Sequence, residues 1–507
     1  MARQSRRNFL GGAAAGIAAG TLGGMSKASA QQAAGVQELR TDVVVVGGGI
    51  GGLTAAVRAQ EQGARVILIE KAFEPGGTTK HSEGGVASTT YERAREQAPD
   101  GDPETQRMIA DGVAAATNFY HSIGAPISGQ PGDRGGSIAP VMFVNFMAST
   151  LESKGGRILV ETPMLRLLTN RLGEVIGVIA ESPNGPIRIL AKAVVLATGG
   201  WMGNAQMVTA HITRHFGMLR QRNAGWGKKP PFIGDGFFAA TAIGAAPSIG
   251  PFDGFYGHTL PARPGVVKDP FSNYSMYHSN WSVVVNLYSR RFTDESRGRL
   301  AGGLATGGGD MTTNQEVARQ PEATAALIWD DPINKARACA NCGLGGLDKF
   351  PAYKMAGAPT ATANTLAELV QQMEAWGVGL SGETILREVT EYNQAAENGK
   401  AWALPIPKLD KENAVPLKTP PFYAVLGTAG ITSTFGGLRA NSQAQVVART
   451  GRPIRGLYAA GVDIGGWSTY VYNGNLVVGA GSGFTAGTNA AKQPEPAGGW
   501  ESPVITG

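Results

Sequence analysis

The stretch "TDVVVVGGGIGGLTAAVRAQEQGARVILIEK", residues 41–71, constrains the fold more than any other part of the chain. Val43–Val46 is an unbroken β-branched run, which suits a strand buried on both faces of a parallel sheet. Gly47, Gly49 and Gly52 follow in G-x-G-x-x-G spacing and open an amphipathic helix through Gln62. "RVILIE" then reads as a second strand ending in Glu70. The glycine spacing alone is a weak signal. Preceded by a strand, opening a helix and followed by an acid at the end of the next strand, it is the dinucleotide fingerprint. Backbone N–H groups at the helix start can face a pyrophosphate, and Glu70 can accept from a ribose hydroxyl. An acid at that position argues against a 2′-phosphate.

The first thirty residues read as an address rather than as part of the fold. "SRRNFLGG" sets Arg6 and Arg7 just before Phe9-Leu10, a weakly apolar Ala/Gly run follows, and "ASA" ends at Ala30. A basic start, an apolar middle and a small-residue cleavage site make a signal peptide, and the twin arginines address it to the Tat route. The expectation is a periplasmic protein, exported folded. These residues carry four bases and no acid, so the formal charge of +6 falls to +2 without them. A nearly neutral chain with no basic, aromatic-interleaved tract is not expected to bind nucleic acid. No segment reaches eighteen consecutive apolar residues, so none is expected to span a membrane. The two cysteines, Cys339 and Cys342, are spaced "CANC" and followed by Gly343, which is not the haem-attachment spacing. A lone pair without nearby His is a poor zinc site, and in an exported protein a local disulfide is the expectation.

Further along, "ILAKAVVLATGGW", "IGDGFFAATAIGA" and "GRPIRGLYAAGVD" are strands or helix entries closed by small residues, the texture of backbone lying against a large cofactor. The long middle holds seven of the twelve Tyr, both cysteines and Pro-rich loops. It reads as an inserted domain over residues 252–432. The first domain is expected over 38–251 and 433–491, with 492–507 as a tail.

The G-x-G-x-x-G with Glu70, "EKAFEPGGTTKHSEGG", "LATGG", "GDG", "RRFTDES" and "GLYAAG" stand in the order they take in the FAD flavoproteins of the fumarate reductase and 3-ketosteroid dehydrogenase superfamily. The chain resembles that family from about Asp42 to Asn489. The resemblance implies an α/β fold: a Rossmann-like FAD-binding domain carrying an inserted α+β capping domain. It implies flavin contacts at Gly47, Gly49, Gly51, Gly52, Glu70, Lys71, Thr78, Thr79, Ser82, Gly85, Thr198, Gly199, Asp235, Gly461, Asp463, Leu476 and Val477. Covalent members attach flavin through a His whose position falls here on Thr78, with His81 three residues off. FAD is therefore expected to be held non-covalently.

The family adds or removes two hydrogens across a C–C bond beside a carbonyl-type group, with hydride carried by the flavin and the proton handled by the protein. The matching proton position is Arg299, four residues beyond Glu295, with Arg297 as a rival. An arginine is always protonated at equilibrium, so it needs a neighbouring carboxylate to return the proton, and Glu295 and Asp294 are the candidates. Eleven positions after Gly461 comes the substrate-binding residue, an Arg in fumarate reductases and a Tyr in ketosteroid dehydrogenases. Here it is Tyr472, in "STYVYNGN", with the Leu476 backbone N–H as second donor, while Tyr470 is expected to pack. The family's dicarboxylate-binding His falls on Ser433, and His258 matches another substrate-contacting His. The resemblance thus implies a ketone or enone-type substrate, with acrylate or dicarboxylate reduction as one alternative and a non-catalytic FAD electron-transfer protein as another. With no haem or iron–sulfur motif in the chain, a quinone or periplasmic c-type cytochrome is the expected redox partner.

Overall fold

The structure is a computed structural model that describes residues 36–87, 90–130, 135–221, 231–262, 274–296, 309–338 and 348–502. Arg297, Arg299, Cys339, Cys342 and the twin-arginine segment lie outside the described residues.

Strand β1 (Gln37–Val46) leads through the glycine turn into helix α1 (Ile50–Glu61), and β2 (Val66–Ile69) returns parallel to it. Val43–Val46 and Val66–Ile69 are all buried, as expected of strands covered on both faces. The strand Gly185–Leu196 runs parallel to β1 on its other side, and Pro453–Ala459 runs parallel beyond it. In this register Val46 pairs with both Ile69 and Leu196, and Leu196 pairs with Ala459. Four strands therefore end at one level, and the turns after them open into a single crevice, the place where doubly wound sheets bind ligands.

Three helices cover one region of this sheet at very short range. Glycines of the C-terminal helix Asn475–Ala490 make the approach possible. A Cβ on Gly483 would stand 2.5 Å from the Gly51 carbonyl oxygen, and one on Gly487 would stand 2.4 Å from that of Ala55. On the opposite side a Cβ on Gly481 would meet the Ile109 oxygen at 2.6 Å, in helix Pro103–Ser122. The Gly-speckled "LVVGAGSGFTAG" is thus a helix-packing device as well as an entry to the site.

A second, antiparallel sheet is built from Leu260–Pro261, Val283–Asn286, Thr324–Asp330, Thr360–Ala363 and Phe422–Thr428. Helices Leu366–Glu374 and Gly382–Glu397 place Leu369, Val370, Met373, Ile385, Val389 and Tyr392 in its core. The described residues from Gln37 onward form one compact unit with two major hydrophobic cores, one on each sheet. The core division departs from the linear one expected at residue 252. Trp201, Met202, Val208, Ile212 and Leu219 pack into the second core although they precede that point, because the chain crosses over before Phe255 begins the second sheet's neighbourhood. Among the described residues no helix is long and apolar enough to cross a membrane.

Candidate active site

The crevice at the strand ends is a continuous cavity lined by Gly47–Gly51, Glu70, Lys71, Thr78, Thr79, Thr198, Gly199, Asp235, Gly461 and Leu476, among others. The glycines earn their places by contact. Gly47 has φ +105°, and a Cβ there would fall 2.2 Å from the Ala197 carbonyl oxygen. A Cβ on Gly52 would fall 1.8 Å from the Gly47 oxygen, and one on Gly51 would fall 2.9 Å from the Gly461 nitrogen. Gly49 differs, since the nearest atom to a Cβ there is the Thr79 hydroxyl at 3.7 Å. That room beside the start of α1 is what a pyrophosphate needs.

Glu70 sits at the end of β2 and ties the turn together. Its carboxylate accepts from the Gly48 N–H at 2.7 Å and the Ala72 N–H at 2.8 Å. Burial pushes its pKa up, while those two N–H groups pull the other way. A carboxylate has about four acceptor sites, so acceptor capacity is left for a ribose hydroxyl. Lys71 and Asp235 form an ion pair of 2.5 Å on the cavity wall. Thr79 accepts from the Ile50 N–H at 3.0 Å and so fixes the first turn of α1.

Five of the seventeen expected flavin contacts stand outside the lining: Gly52, Ser82, Gly85, Asp463 and Val477. Each has another task. Gly52 passes against Gly47, Ser82 donates to the Thr79 carbonyl at 2.8 Å, and Gly85 pairs with Ser137 in a short two-stranded antiparallel sheet. Val477 is buried in the helix core. Asp463 accepts from the backbone N–H and the hydroxyl of Thr198, joining two cavity walls. Burial pushes its pKa to about 7, against the Thr198 hydrogen bonds, with Asp235 adding to the rise.

The turn "STYVYNGN" reaches the cavity through its last residue, Asn475. Tyr472 accepts from the Asn475 N–H at 3.0 Å, in the first turn of the C-terminal helix. Asn475 also donates its side-chain amide to Ser433, and both line the cavity. Leu476 follows within the same first turn, where N–H groups have no intrahelical acceptor. Tyr470 points elsewhere and donates to Glu316 at 2.8 Å.

Tyr256 stacks on Tyr472 with ring centroids 3.9 Å apart and planes 11° from parallel. It pairs across two short strands with Ser433. Two glycines permit this approach. A Cβ on Gly254 would stand 1.8 Å from the Thr469 oxygen, and one on Gly257 would stand 1.8 Å from the Gly430 oxygen. His258 lies next to Tyr256, at 1% exposure, with its Nε2 3.1 Å from the Tyr256 hydroxyl. Its Nδ1 is 2.5 Å from the carboxylate of Asp310, also at 1% exposure. Burial pushes the Asp310 pKa up, and His258 opposes the shift. The histidine expected at the substrate is thus buried, and neither it nor Tyr256 is among the residues lining the cavity.

Asp310 and Tyr256 were not anticipated from sequence. Asp310 opens the helix Gly309–Arg319, which also brings in Asn314, hydrogen-bonded to both backbone groups of Gly430, and Gln315, bonded to the Tyr470 oxygen. Asp310, Thr312, Thr313, Asn314 and Gln315 are all buried. The available signal was a helix with polar residues where an apolar stripe should be, since buried polar groups persist when they have partners.

Glu295, expected to return a proton to Arg299, is committed elsewhere. Both of its oxygens are taken by Arg291, at 3.0 and 2.7 Å, and one also accepts the Val284 N–H at 3.1 Å. Burial alone would raise its pKa, but Arg291 and Lys408 outweigh that and hold it below the usual range. Asp294 accepts from the Ser296 N–H and hydroxyl and from the Leu409 N–H. "RRFTDES" thus contributes a buried ion pair and a local cap, so the two carboxylates serve the fold here.

Fold and cradle together define an FAD-binding oxidoreductase. The FAD dependent oxidoreductase model matches residues 42–206 and the FAD binding domain model matches 282–475. The chain is 26% identical over 460 residues to a fumarate reductase (cytochrome) of Shewanella frigidimarina, covering 84% of this chain and 72% of that one. It is 25% identical over 501 residues to a vinyl phenol reductase of Lactiplantibacillus plantarum, covering 89% and 95%. The 3-ketosteroid-Δ4-(5α)-dehydrogenase structure from Rhodococcus jostii superposes with a TM-score of 0.65 at 22% identity, covering 92% of this chain and 99% of that one. The chain is an FAD-dependent oxidoreductase acting on CH–CH bonds, similar in sequence to fumarate reductases and 3-oxosteroid dehydrogenases.

Proposed function

We propose that this protein reduces or desaturates a C–C bond beside a ketone or enone-type oxygen, and that Tyr472 polarises that oxygen. The observation that carries the proposal is the hydrogen bond from the Asn475 N–H to the Tyr472 oxygen. Accepting at oxygen withdraws charge from the phenol and makes its O–H the better donor. The Leu476 N–H lies in the same helix turn. Two donors of this kind, aimed where negative charge develops, act as an oxyanion hole. Bound flavin supplies the two-electron chemistry at the neighbouring carbon, and Arg299 is the proposed proton group. Ser433 and Tyr472 stand where the carboxylate-binding His and Arg of the fumarate reductase pattern fall, which disfavours a dicarboxylate. The experiment is anaerobic: dithionite-reduced enzyme is mixed with enones, a vinyl phenol, acrylate and fumarate while flavin absorbance is followed. Fastest reoxidation by an enone is the expected result. Fastest reoxidation by fumarate returns the carboxylate reading, and silence across the panel leaves an electron-transfer flavoprotein.

We also propose that FAD is held without a covalent bond, because Thr78 offers no imidazole at the matching position. Acid precipitation is expected to release the flavin into the supernatant, and yellow colour retained by the pellet would contradict this.

Export by the twin-arginine route remains part of the proposal, with a quinone or periplasmic c-type cytochrome as redox partner. Replacing Arg6 and Arg7 by Lys is expected to leave unprocessed protein in the cytoplasm. Periplasmic protein at normal yield would remove the Tat assignment.

A further inference from the structure

Both lysines that line the FAD cavity are already matched by acids. Lys71 pairs with Asp235 at 2.5 Å and Lys80 with Glu74 at 2.8 Å, while Glu70 and His81 complete the ionisable groups of the described lining. The cofactor brings a diphosphate with its own negative charge into this space. One step behind the lining stands a further carboxylate, Asp463, at 1% exposure. Its oxygens accept the backbone N–H of Thr198, a lining residue, and the Thr198 hydroxyl at 3.0 Å. The Thr198 oxygen in turn accepts the Gly236 N–H at 2.9 Å, in the first turn of helix Asp235–Ala242. The packing is tight, since a Cβ on Gly236 would stand 2.8 Å from an Asp463 oxygen.

The elements around Asp463 bring neutral groups or another acid. Thr198 and Gly199 offer N–H groups and a hydroxyl, and helix Asp235–Ala242 brings the Asp235 carboxylate, already paired with Lys71. Leu438 donates its N–H to the Asp463 carbonyl, and the adjacent Arg439 is engaged by Asp102 at 3.4 Å. The C-terminal helix contributes the Ser482 hydroxyl, which accepts from the Gly461 N–H at 2.8 Å. Burial raises the Asp463 pKa to about 7; the Thr198 bonds oppose the rise and Asp235 adds to it. A protonated Asp463 takes one charge away from the cavity wall and can still accept from Thr198.

We infer that FAD binds together with a proton, taken up by Asp463, so that the cofactor is held less tightly as pH rises above neutrality. Bound FAD adds negative charge and displaces water, and both changes favour the protonated acid. Below about pH 7 Asp463 is protonated with or without FAD, and affinity is flat there. Above that pH the ionised acid must take up a proton for FAD to bind, so affinity falls by up to about tenfold per pH unit. Glu70 is the poorer candidate, because the Gly48 and Ala72 N–H groups and the neighbouring Lys71 favour its charge. Asp463 is a positioning residue, acting on the cofactor through Thr198 and through its charge.

The test starts from FAD-loaded enzyme diluted at pH values from about 6 to about 8.5, with the fluorescence of released FAD giving the dissociation constant. Affinity is expected to be about tenfold weaker at the upper end, the effect of a rise of about one unit in the Asp463 pKa on binding. Asp463→Asn mimics the protonated acid and should flatten the profile at the tight level. Asp235→Asn removes the like charge and should move the fall to lower pH, while Glu70→Gln should leave the fall in place. In the infrared spectrum of loaded enzyme near neutral pH, one carboxylic-acid C=O band of the wild type should be missing from Asp463→Asn. The dilution arm rests on the proposed non-covalent attachment of FAD, and the infrared arm does not. Where FAD stays bound at every pH, that attachment is wrong and the infrared band alone decides. A dissociation constant independent of pH, a fall that survives Asp463→Asn, or an acid band unchanged by that substitution would each overturn the inference. Should Asp463→Asn fail to fold, the Asp235→Asn profile decides, and an unmoved fall overturns it.

Discussion

Tyr472→Phe is expected to lose about 10²–10³ in kcat, the typical effect of removing one oxyanion-hole donor. The substitution deletes one oxygen and keeps the ring, so the stack on Tyr256 and the neighbouring Phe435 contact should survive. Substrate affinity should change little where the negative charge appears only in the transition state. The deletion also removes the acceptor of the Asn475 N–H, but that group sits at a helix start whose half-buried residue water can reach. Tyr470→Phe is the control. It breaks a bond to Glu316 on the far side of the turn and should cost stability rather than turnover. Equal kinetic losses in both variants would assign Tyr472 to the architecture of the turn. The measurement is stopped-flow reoxidation of the reduced flavin by the best substrate of the panel.

Two residues four apart in one motif should separate chemistry from stability. Arg299→Ala is expected to lose about 10²–10⁴ in turnover, the usual worth of a general acid or base, with FAD content and thermal midpoint near wild type. Glu295→Gln is expected to behave in the opposite way. Arg291, at 6% exposure, would keep a buried guanidinium with its bidentate partner gone. Lys408, 4.0 Å from the same carboxylate, has its pKa pushed down to about 8 by burial, with Glu295 opposing the shift. Breaking a buried pair in this manner costs about 3–5 kcal/mol, which urea unfolding of the two variants would register. An inactive but stable Glu295→Gln would restore the carboxylate to the proton path. An active Arg299→Ala beside an inactive Arg297→Ala would shift the assignment of the proton group by two residues.

The FAD cradle was largely legible before any coordinates because its signals are local. A β-branched run, a glycine turn, a helix and an acid lie within 31 consecutive residues, and the backbone they specify is the site. The spacing of Gly47, Gly51 and Gly52 is forced by contacts a Cβ could not survive. The expected contacts that stand behind the wall, such as Asp463 and Ser82, are near-neighbours in sequence of residues that do line it. Adjacency along the chain does not decide which way a side chain points.

The group of residues around Tyr472, where the substrate is proposed to bind, was legible only in part. Tyr472 and Leu476 could be placed by counting from a motif, since both belong to one turn and one helix start. Tyr256, His258 and Asp310 could not be joined that way. Tyr256 and His258 stand at the end of a short strand and Asp310 on a helix more than fifty residues later, and only the tertiary fold brings the three together. The chain by itself determined the nucleotide-binding turn, the acid that closes it and the tyrosine beside the C-terminal helix, all set by short-range backbone geometry. Tertiary structure alone decided that His258 meets a tyrosine, that Asp310 holds it and that Glu295 serves an ion pair. Each of those outcomes depends on which distant group occupies the few ångströms around a buried charge or ring, where an unpaired polar atom costs too much to be left alone.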